Sequence, residues 1–125
     1  MSSPKIIRVL IADSNEVLRM SLTIALDYLE DMAVVGQASD GLEAVRLCAD
    51  LQPDVTLMAL RLPKLDGIMA TQLIREQSPQ TQVVILTASL LDEDMEAALQ
   101  AGASAYLRKE GNLETIAAAI RRAVQ

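Results

Sequence analysis

The sequence predicts a single doubly wound α/β domain: a five-stranded parallel sheet with helices on both faces. Two observations carry the prediction. Five short segments rich in Val, Ile and Leu alternate with stretches of helical spacing along all 125 residues, with no linker or low-complexity stretch between them. The apolar runs of the first, third and fourth segments are also nearly continuous rather than alternating, as parallel strands covered on both faces require.

The elements follow in order. The predicted strands are "IIRVLIA" (6–12), "AVVGQA" (33–38), "VTLMAL" (55–60), "QVVILTA" (82–88) and "AYLRK" (105–109). Between the first two, Leu18, Leu22, Ala25, Leu26 and Leu29 mark one apolar face of a helix. Asp40 opens the second helix with Glu43 three residues on, a capping-box spacing, and Val45, Cys48 and Ala49 are its inner positions. Met69, Leu73 and Ile74 mark the third helix, and Leu91, Met95, Ala98 and Leu99 the fourth, which Gly102 should stop. Asn112 can cap the fifth, whose inner face is Leu113, Ile116, Ala117, Ile120 and Val124. The expected strand order is the flavodoxin-like 2-1-3-4-5, which gathers functional groups at the carboxyl ends of the strands.

Composition narrows the function. With 51% apolar and 22% charged residues, the chain has core enough to fold as one domain. A net charge of −6, no Phe or Trp and only two Tyr argue against direct nucleic-acid binding, which needs a basic face or stacking aromatics. The absence of His removes the commonest general base and metal ligand, so no enzyme activity is expected. Cys48, the single cysteine, reads as a buried structural thiol in a reducing cytoplasm. No apolar run reaches membrane-spanning length, so the expected location is cytoplasmic.

At the predicted strand ends stand Asp13 and Ser14, then Ala59, then Thr87, then Lys109. Singly each has a bland reading: Asp13 or Ser14 as a helix cap, Thr87 as a β-branched strand residue, Lys109 as a solvated charge. Their joint spacing is more specific. The segments "RVLIADSNEVLR", "VVGQASDGLEAVRL", "PDVTLMALRLPKLDGI", "VVILTAS" and "AGASAYLRKEGNLETIAAAIRRAV" resemble the receiver domains of two-component response regulators over essentially the whole chain. They are most similar to receivers of the nitrate/quorum-sensing-type regulators that carry a C-terminal helix-turn-helix, and Lys109-Glu110, where many receivers have Lys-Pro, fits that subgroup.

The resemblance implies a site of two acids after strand 1, a phospho-acceptor Asp ending strand 3, a Thr or Ser ending strand 4 and a Lys ending strand 5. Asp13, Thr87 and Lys109 match, and Tyr106 matches an aromatic position that changes rotamer on activation. Two positions depart from the pattern. Ser14 stands at the second acid and Ala59 at the acceptor, four residues before the loop proline Pro63. Alanine has no lone pair with which to attack phosphorus, and neither Thr56 nor Asp66 stands at the acceptor position. A family-like pocket sums three carboxylates and one ammonium to about −2, whereas Asp13 and Lys109 sum to about 0, so Mg²⁺ binding should be weak or absent and no cofactor is expected. Ser14 is expected to cap the first helix. Asp13 and Lys109 should form a direct or water-bridged ion pair, leaving Thr87 and Tyr106 without a phosphoryl trigger.

The leading expectation is a degenerate receiver, residues 1–125, acting in signal transduction or transcription regulation through protein–protein contacts without Asp phosphorylation. Its partner or second copy would dock on the helix 4–strand 5–helix 5 face or the helix 1–helix 5 face, with Arg121 and Arg122 better contact candidates than Ile120. No DNA-binding domain is expected within these residues; one either lies outside them or the receiver stands alone. Two alternatives remain open: an ordinary phospho-accepting receiver whose acceptor was replaced by Ala59, and an α/β domain that binds a small anion near Ser14 and Lys109.

Overall fold

The computed structural model describes residues 5–109 and 111–125. Glu110, the second half of the Lys109-Glu110 pair, lies outside the described residues. The elements run β1 (Ile7–Ala12), α1 (Glu16–Asp27), β2 (Met32–Ala38), α2 (Gly41–Leu51), β3 (Val55–Ala59), α3 (Gly67–Gln77), β4 (Gln82–Thr87), α4 (Asp92–Gln100), β5 (Ala105–Arg108) and α5 (Leu113–Ala123). The sheet is wholly parallel with the order β2-β1-β3-β4-β5, as the alternation predicted. No helix among the described residues is long and apolar enough to cross a membrane.

Strand periodicity divides the core into two layers. Val9, Ile11, Val55, Leu57, Val84 and Leu86 face α1 and α5, where Leu22, Leu26, Ile116 and Ile120 close over them. Leu10, Ala12, Met58, Val83 and Ile85 face α2, α3 and α4, against Ala44, Cys48, Ala70, Ile74 and Ala98. Both faces of each central strand are therefore buried, which is why their sequences read as continuous apolar runs. An all-aliphatic layer fills space with rotamer-defined side chains, and truncating one such as Leu57 to Ala costs about 2–5 kcal/mol.

The helix starts show where local chemistry prevails. Asp40 accepts the Glu43 amide at 2.8 Å, while the Glu43 carboxylate reaches back to the Ser39 amide at 2.8 Å, one residue earlier than a standard capping box places it. Asn112 accepts the Thr115 amide at 2.9 Å, as expected. Gly102 adopts φ +112° and the Ala103 amide donates to the Ala98 carbonyl, ending α4 where the sequence placed the stop.

Three expectations are corrected. Ser14 does not cap α1; Asn15 does, accepting the Leu18 amide at 3.1 Å, because the helix begins at Glu16 and Ser14 sits one position too early. Of the proposed inner face of α4 only Ala98 is buried; Leu91, Met95 and Leu99 are exposed. Ala49, Met69 and Val124 are likewise exposed, and in α3 Ala70 and Thr71 take the inner positions beside Ile74.

Candidate functional site

The carboxyl edge of the sheet collects Asp13, Ala59, Thr87 and Lys109 from four strand ends. Asp13, 3% exposed, follows β1, and its amide donates to the Ala38 carbonyl at 3.0 Å. One carboxylate oxygen accepts the Asn15 amide at 2.8 Å. The other lies 3.1 Å from Lys109 Nζ, so the expected ion pair is direct. Lys109 is aimed there because its amide continues the β4–β5 ladder by donating to the Thr87 carbonyl at 2.8 Å.

Ala59 ends β3 with 3% exposure, walled in by the following loop. The Gly67 amide donates to the Leu60 carbonyl at 2.8 Å, and a Cβ at Gly67 would collide with the Ala59 carbonyl. Glycine is thus required where α3 turns back over the strand tip. The two oxygen-bearing side chains weighed as neighbours of Ala59 are engaged elsewhere. Thr56 is fully buried with Oγ1 3.1 Å from Cys48 Sγ, and Asp66 caps α3 by accepting the Met69 amide at 2.9 Å.

The loop 60–66 is held at both ends. Lys64, at φ +68°, places Nζ 3.5 Å from Asp40 Oδ2, and the Gly41 amide donates to the Pro63 carbonyl at 3.2 Å. The Glu43 amide first, and the Lys64 charge after it, hold the Asp40 carboxyl below the usual range. At the other end Arg61 Nη2 lies 3.1 Å from Asp94 Oδ2 on α4. The Ser89 hydroxyl donates to that same oxygen at 2.6 Å, and the Ser89 amide donates to Thr87 Oγ1 at 3.1 Å.

Tyr106 is half-buried against the α2–α3–α4 layer, and its hydroxyl is buried without a hydrogen-bond partner among the described residues. It lines a cleft of about 140 Å³ with Ser89, Leu91, Met95 and Arg108. Asp13, Ala59, Thr87 and Lys109, expected at the strand ends, lie along one edge, Tyr106 sits within β5, and Ser14, expected as a cap, is exposed. Sequence reasoning missed Asn15, Arg61, Ser89, Asp94 and Arg19, whose guanidinium donates to the Asp13 carbonyl at 2.8 Å. Asn and Ser are about equally good caps, so residue type did not separate Asn15 from Ser14; the contact of Arg61 with Asp94 spans 33 residues and has no local signal.

For a divalent cation the donors present fit poorly. A single carboxylate, already paired with an ammonium, stands at the strand ends, and no group of three or more His, Cys, Asp or Glu among the described residues is placed to hold a metal. Two apolar surfaces flank the site. On α1, Val17, Met20, Ile24 and Tyr28 are 75%, 50%, 71% and 87% exposed along one stripe. On α4 the row is Leu91, Met95 and Leu99, with Leu90 just before it. Arg121, named above as a contact candidate, makes a two-point pair with Asp31 at 2.7 and 3.0 Å.

Residues 9–121 match the family model described as the response regulator receiver domain. The chain is 42% identical over 117 residues to the transcriptional regulatory protein LiaR of Bacillus subtilis, covering 94% of this chain and 56% of that protein. It is 35% identical over 116 residues to the response regulator protein VraR of Staphylococcus aureus, covering 93% and 56% respectively. Among solved structures, the signal receiver domain of the putative response regulator NarL from Mycobacterium tuberculosis superposes with a TM-score of 0.87 at 28% identity, covering 94% of this chain and 98% of that one. The chain spans about half the length of the curated relatives it matches.

Proposed function

Because this chain belongs to the response regulator receiver domains, and so to two-component signalling, we propose that it is a receiver that signals without phosphorylation of an aspartate. The observation that carries the reading is Ala59 at the tip of β3, on the sheet edge where Asp13 is paired with Lys109. Phosphoryl acceptance needs a nucleophile at that tip and a dication to neutralise developing charge. Ala59 supplies no nucleophile, and Asp13 with the neutral hydroxyl of Ser14 makes a weak Mg²⁺ site. Thr87 and Tyr106 keep the places of switch residues, but a partner rather than a phosphoryl group biases them. The Asp13–Lys109 pair also leaves the lysine less available to an anion.

The output is protein–protein contact. The stripe Val17, Met20, Ile24 and Tyr28 on α1 is the more exposed surface and is self-complementary when two copies align it antiparallel, so a homodimer forms through the α1–α5 side. The α4–β5–α5 side, with Leu91, Met95 and Leu99 beside Asp92 and Glu93, serves a different protein partner. The signal it carries serves transcription regulation, as the description of its relative LiaR, a transcriptional regulatory protein, suggests.

The deciding experiment is solution mass with and without a small phosphodonor and Mg²⁺. A dimer that is the same in both conditions supports the reading. Donor-induced dimerisation, with a mass gain of one phosphoryl group, overturns it.

A further inference from the structure

We propose that Arg61, Asp94 and Ser89 form a latch that fixes the start of α4 to the β3–α3 loop. This coupling is independent of whether phosphoryl transfer occurs. α4 begins without a side-chain cap: its N-cap position is Leu91, whose side chain has no acceptor. Three acids occupy the first turn, where the helix dipole favours negative charge. Asp92 and Glu93 are exposed to water, but the Asp94 side chain is only 15% exposed and one of its oxygens receives two donors.

Those donors come from different loops. The Ser89 hydroxyl, from the β4–α4 loop, donates at 2.6 Å and itself accepts the Leu91 amide at 3.2 Å, pinning the N-cap residue while the helix start keeps no side-chain cap. Arg61, two residues past Ala59, donates at 3.1 Å from the β3–α3 loop. Through the Ser89 amide the chain continues to Thr87 Oγ1 at 3.1 Å. The hydroxyl–carboxylate contact alone would be an ordinary helix start. Arg61 makes it a tie between the strand-3 tip and the helix that carries Leu91, Met95 and Leu99. Tyr106 lies beside that first turn with its hydroxyl unpartnered among the described residues, so a loosened α4 gives this hydroxyl a route to water.

The latch predicts an effect that a local cap does not: removing an exposed arginine from the β3–α3 loop loosens a helix start contributed by another loop. The test uses the 125-residue chain carrying Tyr28→Phe, which leaves Tyr106 as the sole tyrosine in a protein without tryptophan. Amide exchange at Ser89 and Leu91 and the near-ultraviolet signal of Tyr106 are compared in Arg61→Ala, Asp94→Asn, the double variant and the control Lys64→Ala. Lys64→Ala cuts the other tether of the same loop.

Arg61→Ala should speed exchange at both amides about three-fold and alter the Tyr106 signal, with the difference shrinking at 1 M salt. The double variant should exceed the larger single effect little, and Lys64→Ala should leave these reporters unchanged. The latch is overturned if Arg61→Ala moves neither reporter, if the two single effects add, or if Lys64→Ala matches Arg61→Ala. Should Asp94→Asn unfold the chain, Arg61→Ala decides alone, since the Arg61 side chain is 71% exposed and dispensable to the core. Phosphoryl labelling of the wild-type chain would overturn the proposed function and leave this result standing.

Discussion

Lys109 Nζ stands 3.1 Å from Asp13 Oδ2, joining the end of β5 to the end of β1 across two intervening strands. The Asp13 side chain is 4% exposed and Lys109's is 30%. Removing the ammonium leaves a nearly buried carboxylate with one amide donor for compensation. Lys109→Ala should therefore destabilise the domain by about 1–3 kcal/mol, below the full penalty for a buried pair because water reaches the lysine. Lys109→Ala with Asp13→Asn should recover part of the loss. Urea unfolding midpoints at pH 7 check both; an unchanged midpoint in Lys109→Ala would remove the pair from the account of the site.

Two carboxylates set the acid limit. The Arg121 hydrogen bond holds Asp31 below the ordinary carboxylate value of about 3.9, and the Glu43 amide with the Lys64 charge does the same for Asp40. In both, the folded value lies below the unfolded one. The stabilisation is complete above the unfolded value and is lost as pH falls through the lower folded value. Asp31→Asn and Asp40→Asn should each lower Tm at pH 6, and the difference from the wild type should shrink as pH falls through the lowered folded values. A Tm difference that persists unchanged at low pH would mean that the effect is not electrostatic.

Cys48 gives a readout of core opening. It is fully buried 3.1 Å from Thr56 Oγ1, and burial pushes its thiol up to about 11. Little thiolate exists at pH 7, and no reagent reaches the sulfur in the closed fold. Alkylation in native buffer should be slower than in urea by a factor comparable to the local opening equilibrium, at least on the order of a hundredfold. Fast native labelling would show that α2 separates readily from the sheet.

What was legible in the sequence was whatever one residue or one period determines. The continuous runs of β1, β3 and β4 announced strands buried on two faces, and Asp40, Asn112 and Gly102 marked helix boundaries by their own side chains or by lack of one. The pair of Asp13 with Lys109 followed from strand order and charge once the resemblance had marked the positions. α4 misled because Leu91, Met95 and Leu99 keep helical spacing on the outer face, while only Ala98 meets the sheet. Periodicity reports that a helix has an apolar stripe, not which surface the stripe covers. The same blindness hid the second stripe of α1 behind Leu18, Leu22 and Leu26. Arg61 and Asp94 were illegible because their contact depends on the path of two loops.

That second stripe yields a prediction. If two copies meet through α1, Ile24→Glu places a charge at the centre of the apolar stripe and should shift the dimer to monomer, weakening association at least tenfold. Leu99→Glu on α4 should leave the mass unchanged. Equilibrium sedimentation of the two variants separates the surfaces; the reverse pattern would move the dimer to the α4 side.

The proposed function can be tested by placing carboxylates at positions 59 and 14. Ala59→Asp alone restores a carboxylate at the β3 tip but leaves Ser14 without a metal-binding charge, and Asp13 remains paired with Lys109. Ser14→Asp adds the second acid at an exposed position where it displaces no contact and leaves the Asn15 cap in place. The Ser14→Asp/Ala59→Asp variant should bind Mg²⁺ on the order of tenfold more tightly than Ala59→Asp, since a further carboxylate near a dication is worth more than 1 kcal/mol even when solvated. It should also accept phosphoryl groups from a small donor at a correspondingly higher rate. Mg²⁺ titration and intact mass after donor treatment check the two steps separately. Equal labelling of single and double variants would mean that Asp13 alone suffices to hold the metal, and that the proposed lack of phosphoryl acceptance rests on Ala59 by itself.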